Sequence, residues 1–487
     1  MSGKTAVIII HGIGEQVPMG TITDFVETVW TTDETLIDRD RPDPDTGRSP
    51  RTRNAAWSKP DRRTDSFELR RITTEATDTG RRVDFFEYYW AHRISNTTWK
   101  QVRSWFLDLM LRNPFKRVPK GLGFTWGLMW VVTLLIGVLW ALTAIYRPGL
   151  DGPLGWGVIG LAFVSVLGPI VMAKMVSHVG DVPRYVKAKP ENIAIRESIR
   201  QNGVRLLETL MGFDGEGNLG KQPYDRIVMV GHSLGTIVAY DILTLAFARH
   251  NNRLGEKVPQ DLRQPHRAAL EALIRKHRDE GTDLPLDEFR KLQDQCRDEI
   301  HELGGLWPIS DFITLGSPLA HAEFLMAQDK DSLDDAKQRR ILPTCPPTLE
   351  YDGTTNLRHF SYYPPELNAF GDGSEPEHPR FPHHAAMFAY TKWTNFYSPH
   401  RFTIWGDVIS GPICQAFGLP RKGKARPLCG IRDIAVLPSA TGSAEDKKKR
   451  LLTHLRYWDR SVGGVGDDKS AIPEHIARLR EALDLRN

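Results

Sequence analysis

The sequence predicts an α/β fold: a mostly parallel sheet flanked by helices, carrying an inserted two-helix transmembrane hairpin and a helical insertion. Three observations predict it. Short apolar runs bounded by turn residues alternate with stretches of helical spacing, the pattern of strand–helix–strand units. One apolar run, 226–230, breaks at Gly231-His232-Ser233-Leu234-Gly235 and passes directly into a helical stretch. Two long segments, 121–146 and 153–173, carry no charged residue.

The bulk numbers agree with a large globular chain. Of 487 residues, 40% are hydrophobic and 25% charged, enough for a sizeable core. A net charge of only +4 gives no nucleic-acid signal. The four cysteines (Cys296, Cys345, Cys414 and Cys429) form no C-x-x-C pair and no metal-ligand spacing, so free thiols in a reducing compartment are expected. No metal and no cofactor is called for.

Taken in order, residues 5–10 read as a core strand rather than a secretory leader, and end in a glycine-rich turn. Residues 20–31 read as helix, 38–63 as a loop rich in Pro, Asp, Arg and Thr, and 66–72 and 82–90 as strands. These belong to a first part of the α/β domain, 1–112. Within 99–110, Trp99, Val102, Trp105, Phe106, Leu109 and Met110 recur at helical spacing, as an interfacial helix or an ordinary amphipathic one.

Residues 113–190 form the expected hairpin. Each uncharged stretch is long enough for a hydrocarbon core of roughly 30 Å, and only 147–152 separates them. Arg112, Lys116, Arg117 and Lys120 precede the first span; Lys174, Arg184, Lys187 and Lys189 follow the second. Positive-inside bias then puts both flanks in the cytoplasm. The expectation is a multi-pass protein of the bacterial inner membrane with its α/β domain facing the cytoplasm. The alternative is a pair of buried core helices.

The remainder, 191–487, continues the α/β domain. It holds a helix at 191–211, the 226–230 strand and its following helix, a charged helical insertion at about 253–305, and strands at 311–315, 392–397 and 431–437. The insertion is either a solvated surface element or a lid. Residues 364–384, dense in Pro, His and Gly, read as loop, and no internal repeat is evident.

The Gly-x-Ser-x-Gly at 231–235, between a buried strand and a helix, is the pattern of a nucleophile elbow. The serine sits on a strained turn, so flanking side chains would clash with the adjoining strand and helix. An activated serine needs a base, an orienting acid and an oxyanion hole. His11-Gly12-Ile13-Gly14 follows the first strand, and its glycines let backbone N–H groups point at developing negative charge. The expected donors are the N–H of Ile13, or Gly12, with that of Leu234.

Chain order in this architecture is Ser, then acid, then His. Asp407 follows the 392–397 strand in a Gly/Pro-bounded loop and is the expected acid; Asp433 lies near a strand start, and Asp372 precedes the relevant strand. Among 16 histidines, His454 follows the last strand and is the expected base. His475 belongs to a C-terminal helix, and His232, inside the elbow, is expected to pack rather than act as base.

These residues give the chain its resemblance. His11–Gln16, Gly231–Gly235, the run Phe312–Pro318, the strand Trp393–Tyr397 leading to Asp407, and His454–Trp458 together resemble the α/β-hydrolase superfamily. The likeness is to lipase-like serine hydrolases and, more distantly, to GPI inositol deacylase and DDHD-type phospholipases. It departs where 400–404 separates the late strand from Asp407. The resemblance implies ester hydrolysis through an acyl-enzyme. With a hairpin at the catalytic face, the partners expected are a lipid bilayer and a lipid or other acyl-ester substrate. A thioesterase or acyltransferase on soluble acyl donors, and an inactive membrane scaffold or effector, are the alternatives.

Overall fold

The structure, a computed structural model, describes residues 3–12, 17–64, 68–93, thirteen scattered positions from 111 to 141, 185–186, 190–253, 264–363, 379–400, 406–421, 424, 426–437, 453–460 and 472–486. Among these, eight strands form one sheet: β1 (Lys4–Ile10), β2 (Ala56–Pro60), β3 (Arg70–Ala76), β4 (Arg82–Tyr88), β5 (Arg226–His232), β6 (Ile309–Leu315), β7 (Lys392–Tyr397) and β8 (Arg432–Ala435). Their order is β8-β7-β6-β5-β1-β4-β3-β2. From β8 to β4 every pair is parallel; β3 and β2 close the other edge antiparallel.

The central strands read as near-continuous apolar runs because both faces are covered. Along β1, Ala6, Ile8 and Ile10 point to one layer and Val7 and Ile9 to the other. The first layer packs α2 (Pro190–Met211) and α3 (Leu234–His250). The second packs α1 (Gly20–Val26), which continues as a π-helical turn over Glu27–Thr31, and the C-terminal helix Glu474–Leu483.

After β1 the chain crosses to the far edge and builds inward through β2, β3 and β4; it then lays β5 on the other side of β1. The β1/β5 boundary is therefore the point where strand order reverses. The crevice outside the carboxyl ends of such strands is where ligands sit in open α/β sheets. Gly12 and Ser233 each follow one of these two strands.

The expected transmembrane hairpin is not supported. Among the described residues no helix is long and apolar enough to cross a membrane. The 153–173 stretch, like 99–110, lies outside the described residues, and 121–146 is described only at scattered positions. An uncharged stretch shows avoidance of water; spanning a bilayer also requires one continuous helix of about 20 residues. The inserted hairpin, the bilayer partner and the multi-pass inner-membrane location are withdrawn.

Three smaller expectations change. The 38–63 loop contains β2, an edge strand with polar residues (Ser58 and Lys59) and a terminal Pro60, so it lacks the apolar signature of a buried strand. The strand expected at 66–72 is β3, four residues later. Of the four cysteines, Cys414 and Cys429 are paired as a disulfide, and Cys296 and Cys345 are free and buried.

The charged insertion is a helix pair, α4 (Pro265–Glu280) and α5 (Leu286–Glu302). Its buried Gln293 donates to the carbonyls of Phe388 (2.7 Å) and Thr391 (3.0 Å), just before β7 begins. Arg432, at the start of β8, pairs with Asp287. The pair therefore braces the amino ends of the strands, the edge opposite Ser233, and the lid alternative fails on position.

Candidate active site

Ser233 sits at φ 52°, ψ −130°, between the end of β5 and the start of α3. A non-glycine residue in this region is strained, typically by about 1–3 kcal/mol, and persists only where its surroundings over-determine it. They do so here. The Ser233 N–H donates to Leu315 O (3.0 Å), and the Ser233 carbonyl accepts from the N–H (3.0 Å) and hydroxyl (2.7 Å) of Thr236. Both flanking glycines are sterically required. A Cβ on Gly235 would lie 2.3 Å from Ile10 O and 2.4 Å from His11 O; one on Gly231 would lie 2.7 Å from Thr236 Cα.

The structure brings Ser233, His454 and Asp407 into one hydrogen-bonded chain. His454 Nε2 lies 2.8 Å from Ser233 Oγ, and its Nδ1 lies 2.9 Å from Asp407 Oδ2. Asp407 is nearly fully buried. Burial pushes its carboxyl up, but the hydrogen bond and charge of His454, with hydrogen bonds from Tyr457 and Ser410, bring it down to about 2. An ionised carboxylate only accepts, so Nδ1 of His454 carries the proton. In its neutral form the ring leaves Nε2 a lone pair for the Ser233 hydroxyl, as a general base must.

Asp407 is itself held from several sides. Its Oδ2 also accepts from the Tyr457 phenol at 2.8 Å, and its Oδ1 accepts from Ile409 N at 3.0 Å. Tyr457 in turn accepts from Ser398 N (3.1 Å) and lies 3.0 Å from Ser410 Oγ. Gly316, at φ 60°, makes room for this cluster. A Cβ there would lie 2.7 Å from Tyr457 Cε2, 3.2 Å from His454 Nδ1 and 3.3 Å from Asp407 Oδ2. Tyr457 and Gly316 carried no role in the sequence reading. Tyr457 stands three residues after His454, but its partner lies 50 residues away, beyond any local pattern.

The other acids and histidines lie elsewhere. Asp433 is occupied by Asn395 Nδ2 and by the N–H groups of Ile413 and Cys414. Asp372 is outside the described residues. His475 Nε2 faces Asp459 O. His232 donates from Nε2 to His454 O at 2.8 Å, so it fixes the backbone of the base; burial, then the neighbouring His454, lowers its pKa to about 3 and keeps it neutral.

For the oxyanion donors, Leu234 opens α3, where the first N–H groups have no partner within the helix and the dipole favours an anion. Gly12 lies against Ser233: a Cβ there would be 2.7 Å from Ser233 Cβ and 3.3 Å from Oγ. Ile13 is outside the described residues. The turn is anchored by His11, whose ring stacks on Trp90 (5.1 Å, 6°). Trp90 donates from its backbone N–H to His11 Nε2 (3.2 Å) and from its indole to His11 O (3.0 Å). With Nε2 accepting, Nδ1 donates to Gly12 O at 2.8 Å, and burial lowers the His11 pKa to about 4.

Among the described residues no group of His, Cys, Asp and Glu could hold a metal ion. The arrangement brings a serine hydroxyl, an imidazole, an ionised carboxylate and a helix N-terminus together. Compared with known proteins, the chain matches no protein family, no curated protein and no solved structure.

Proposed function

We propose that this chain is a serine hydrolase of the α/β-hydrolase type that cleaves carboxylic esters through an acyl-enzyme. The observation that carries the reading is the continuous chain from Ser233 Oγ through His454 to Asp407, with both links at 2.8–2.9 Å. His454 Nε2 takes the Ser233 proton as Oγ attacks the ester carbonyl carbon, and Asp407 stabilises the imidazolium. Leu234 N–H, with a backbone N–H of the segment after β1, receives the negative charge on the carbonyl oxygen. The proton on Nε2 passes to the leaving alcohol oxygen as the C–O bond breaks. Water, activated by the same nitrogen, then releases the acid and restores Ser233.

Lipid-like specificity rested on the membrane hairpin and is not carried forward. Thioesters would use the same chemistry, and no feature of the site favours them over oxygen esters. An inactive scaffold has no use for a strained serine hydrogen-bonded in line with His454 and Asp407. A burst of alcohol release on mixing with a p-nitrophenyl ester, with an amplitude near one per chain, tests the reading. The burst is expected in the natural chain and absent in Ser233→Ala and His454→Ala; an equal burst in both variants would overturn it.

A further inference from the structure

A cavity of about 450 Å³ lies between the end of α4, the helix Lys330–Gln338 and the segment that precedes β8. That volume suits a small molecule. Four cationic side chains line it, Arg278, Lys337, Arg358 and Arg421, and no carboxylate does. Two of the four build its walls. Lys337 is buried; its Nζ donates to Ala416 O at 3.0 Å and pairs with Asp334 at 2.6 Å. Arg421 is buried too. It donates to the carbonyls of Arg426 (3.0 Å) and Thr282 (2.8 Å), the latter in the turn between α4 and α5. The cavity therefore adjoins the helix pair at the sheet edge opposite Ser233, and shares no lining residue with the triad.

The other two cations are unanswered. Arg278 is half-buried and Arg358 exposed, so solvent reaches both side chains. Neither guanidinium has a hydrogen bond or an ion pair among the described residues. They are neighbours: Arg275, one turn before Arg278, donates from Nη1 to Arg358 O at 2.7 Å. Burial, then the Arg358 charge, lowers the Arg278 pKa against the pull of Asp279. Buried arginines elsewhere in the fold meet carboxylates, as Arg226 meets Asp311 and Arg380 meets Asp352. The negative end of the α4 dipole supplies only about half a charge, and Lys424 already serves it. A Cβ on Gly281, which caps α4, would lie 3.1 Å from Lys424 Nζ. Two like charges thus share one cavity and repel.

We propose that this cavity binds a small phosphate monoester, its phosphate between Arg278 and Arg358 and its carbon body against Leu349, Leu419 and Pro420. A phosphate monoester carries close to two negative charges at neutral pH, one for each free guanidinium, and offers three oxygens to their planar donor sets. A monocarboxylate would leave one cation unanswered. The three apolar side chains complete the cavity wall and give the ester's carbon group a surface to leave water on. This binding does not depend on the hydrolase reading.

Calorimetry on the full chain at low salt tests it, with phenyl phosphate, inorganic phosphate and benzoate titrated separately. Saturable one-site binding of phenyl phosphate is expected, tighter than that of either other anion. Arg278→Gln and Arg358→Gln should each weaken it by about tenfold or more. Neither side chain has a partner in the fold, so both variants should keep the natural melting temperature. Arg478→Gln, on the C-terminal helix, should leave binding unchanged, as should Ser233→Ala. No saturable binding overturns the proposal, as does binding that both cavity variants leave unchanged. An equal loss in Arg478→Gln would show general charge attraction only, and a loss in Ser233→Ala would put the anion at the elbow; either overturns it. Benzoate binding as tightly as phenyl phosphate overturns the paired-charge contact, and inorganic phosphate binding as tightly overturns the apolar one. A chain inert to esters that still binds phenyl phosphate through Arg278 would sink the hydrolase reading and leave this site standing.

Discussion

The phenol of Tyr457 donates to Asp407 Oδ2 across 2.8 Å, the same oxygen that accepts from His454 Nδ1 at 2.9 Å. One carboxylate oxygen thus serves the base and a buried phenol together. The phenol stabilises the ionised carboxylate, fixes its rotamer and thereby aims the imidazole at Ser233. Tyr457→Phe removes only the hydroxyl. The account predicts a fall in kcat of roughly tenfold, about 1.4 kcal/mol, with KM little changed. Steady-state ester hydrolysis measures it, and an unchanged kcat would show that Ile409 N and His454 alone suffice.

Gly235 is the tightest point of the elbow, because an added methyl would meet two backbone carbonyls, Ile10 O and His11 O, neither of which can rotate away. Gly235→Ala is predicted to destabilise the chain by about 3 kcal/mol. Thermal unfolding beside the natural chain reads this directly; a shift of less than a degree would mean that β1 and α3 yield more easily than their packing implies.

Burial sets an acid limit to stability. His11 and His383 have pKa values lowered to about 4 and His232 to about 3, in each case chiefly by burial. Between those values and the ordinary 6.5, the unfolded chain binds protons that the folded chain refuses, so stability falls as pH drops through this window. Glu87, held up at about 7, acts in the opposite sense and loses stability as pH rises from about 4.5 towards 7. His232→Gln keeps a donor for His454 O without a titrating ring, and denaturant unfolding between pH 6.5 and 3 should show a shallower decline. An identical slope would remove His232 from the explanation.

The helical insertion is predicted to act on stability and not on turnover. Gln293→Ala leaves the Phe388 and Thr391 carbonyls without their buried donor, at a cost of about 1–3 kcal/mol. The kcat/KM for a small ester should stay within a factor of two or so. A large loss of kcat/KM in a stable variant would restore the lid.

What the sequence disclosed follows the range of the interactions. The elbow was legible because its strand, turn and helix are contiguous, and because Gly231 and Gly235 answer to atoms a few residues away or in the neighbouring strand end. Asp407 and His454 were legible only through chain order, since no local feature separates them from other loop acids and histidines. Tyr457, Gly316 and the Arg278 cavity were not legible, because each depends on contacts across tens of residues. Strand β2 was missed because an edge strand needs no apolar face. The hairpin and the lid were read from composition, which reports that a segment avoids or seeks water and does not say which edge of the sheet it joins.

The central claim is that Ser233 is a nucleophile raised by His454. Treating the full chain with a fluorophosphonate and mapping the adduct by mass spectrometry tests it most directly. The account predicts a single adduct on Ser233, absent in Ser233→Ala and formed at least about a hundredfold more slowly in His454→Ala. No adduct on the natural chain, or labelling at another residue that persists in Ser233→Ala, would contradict it.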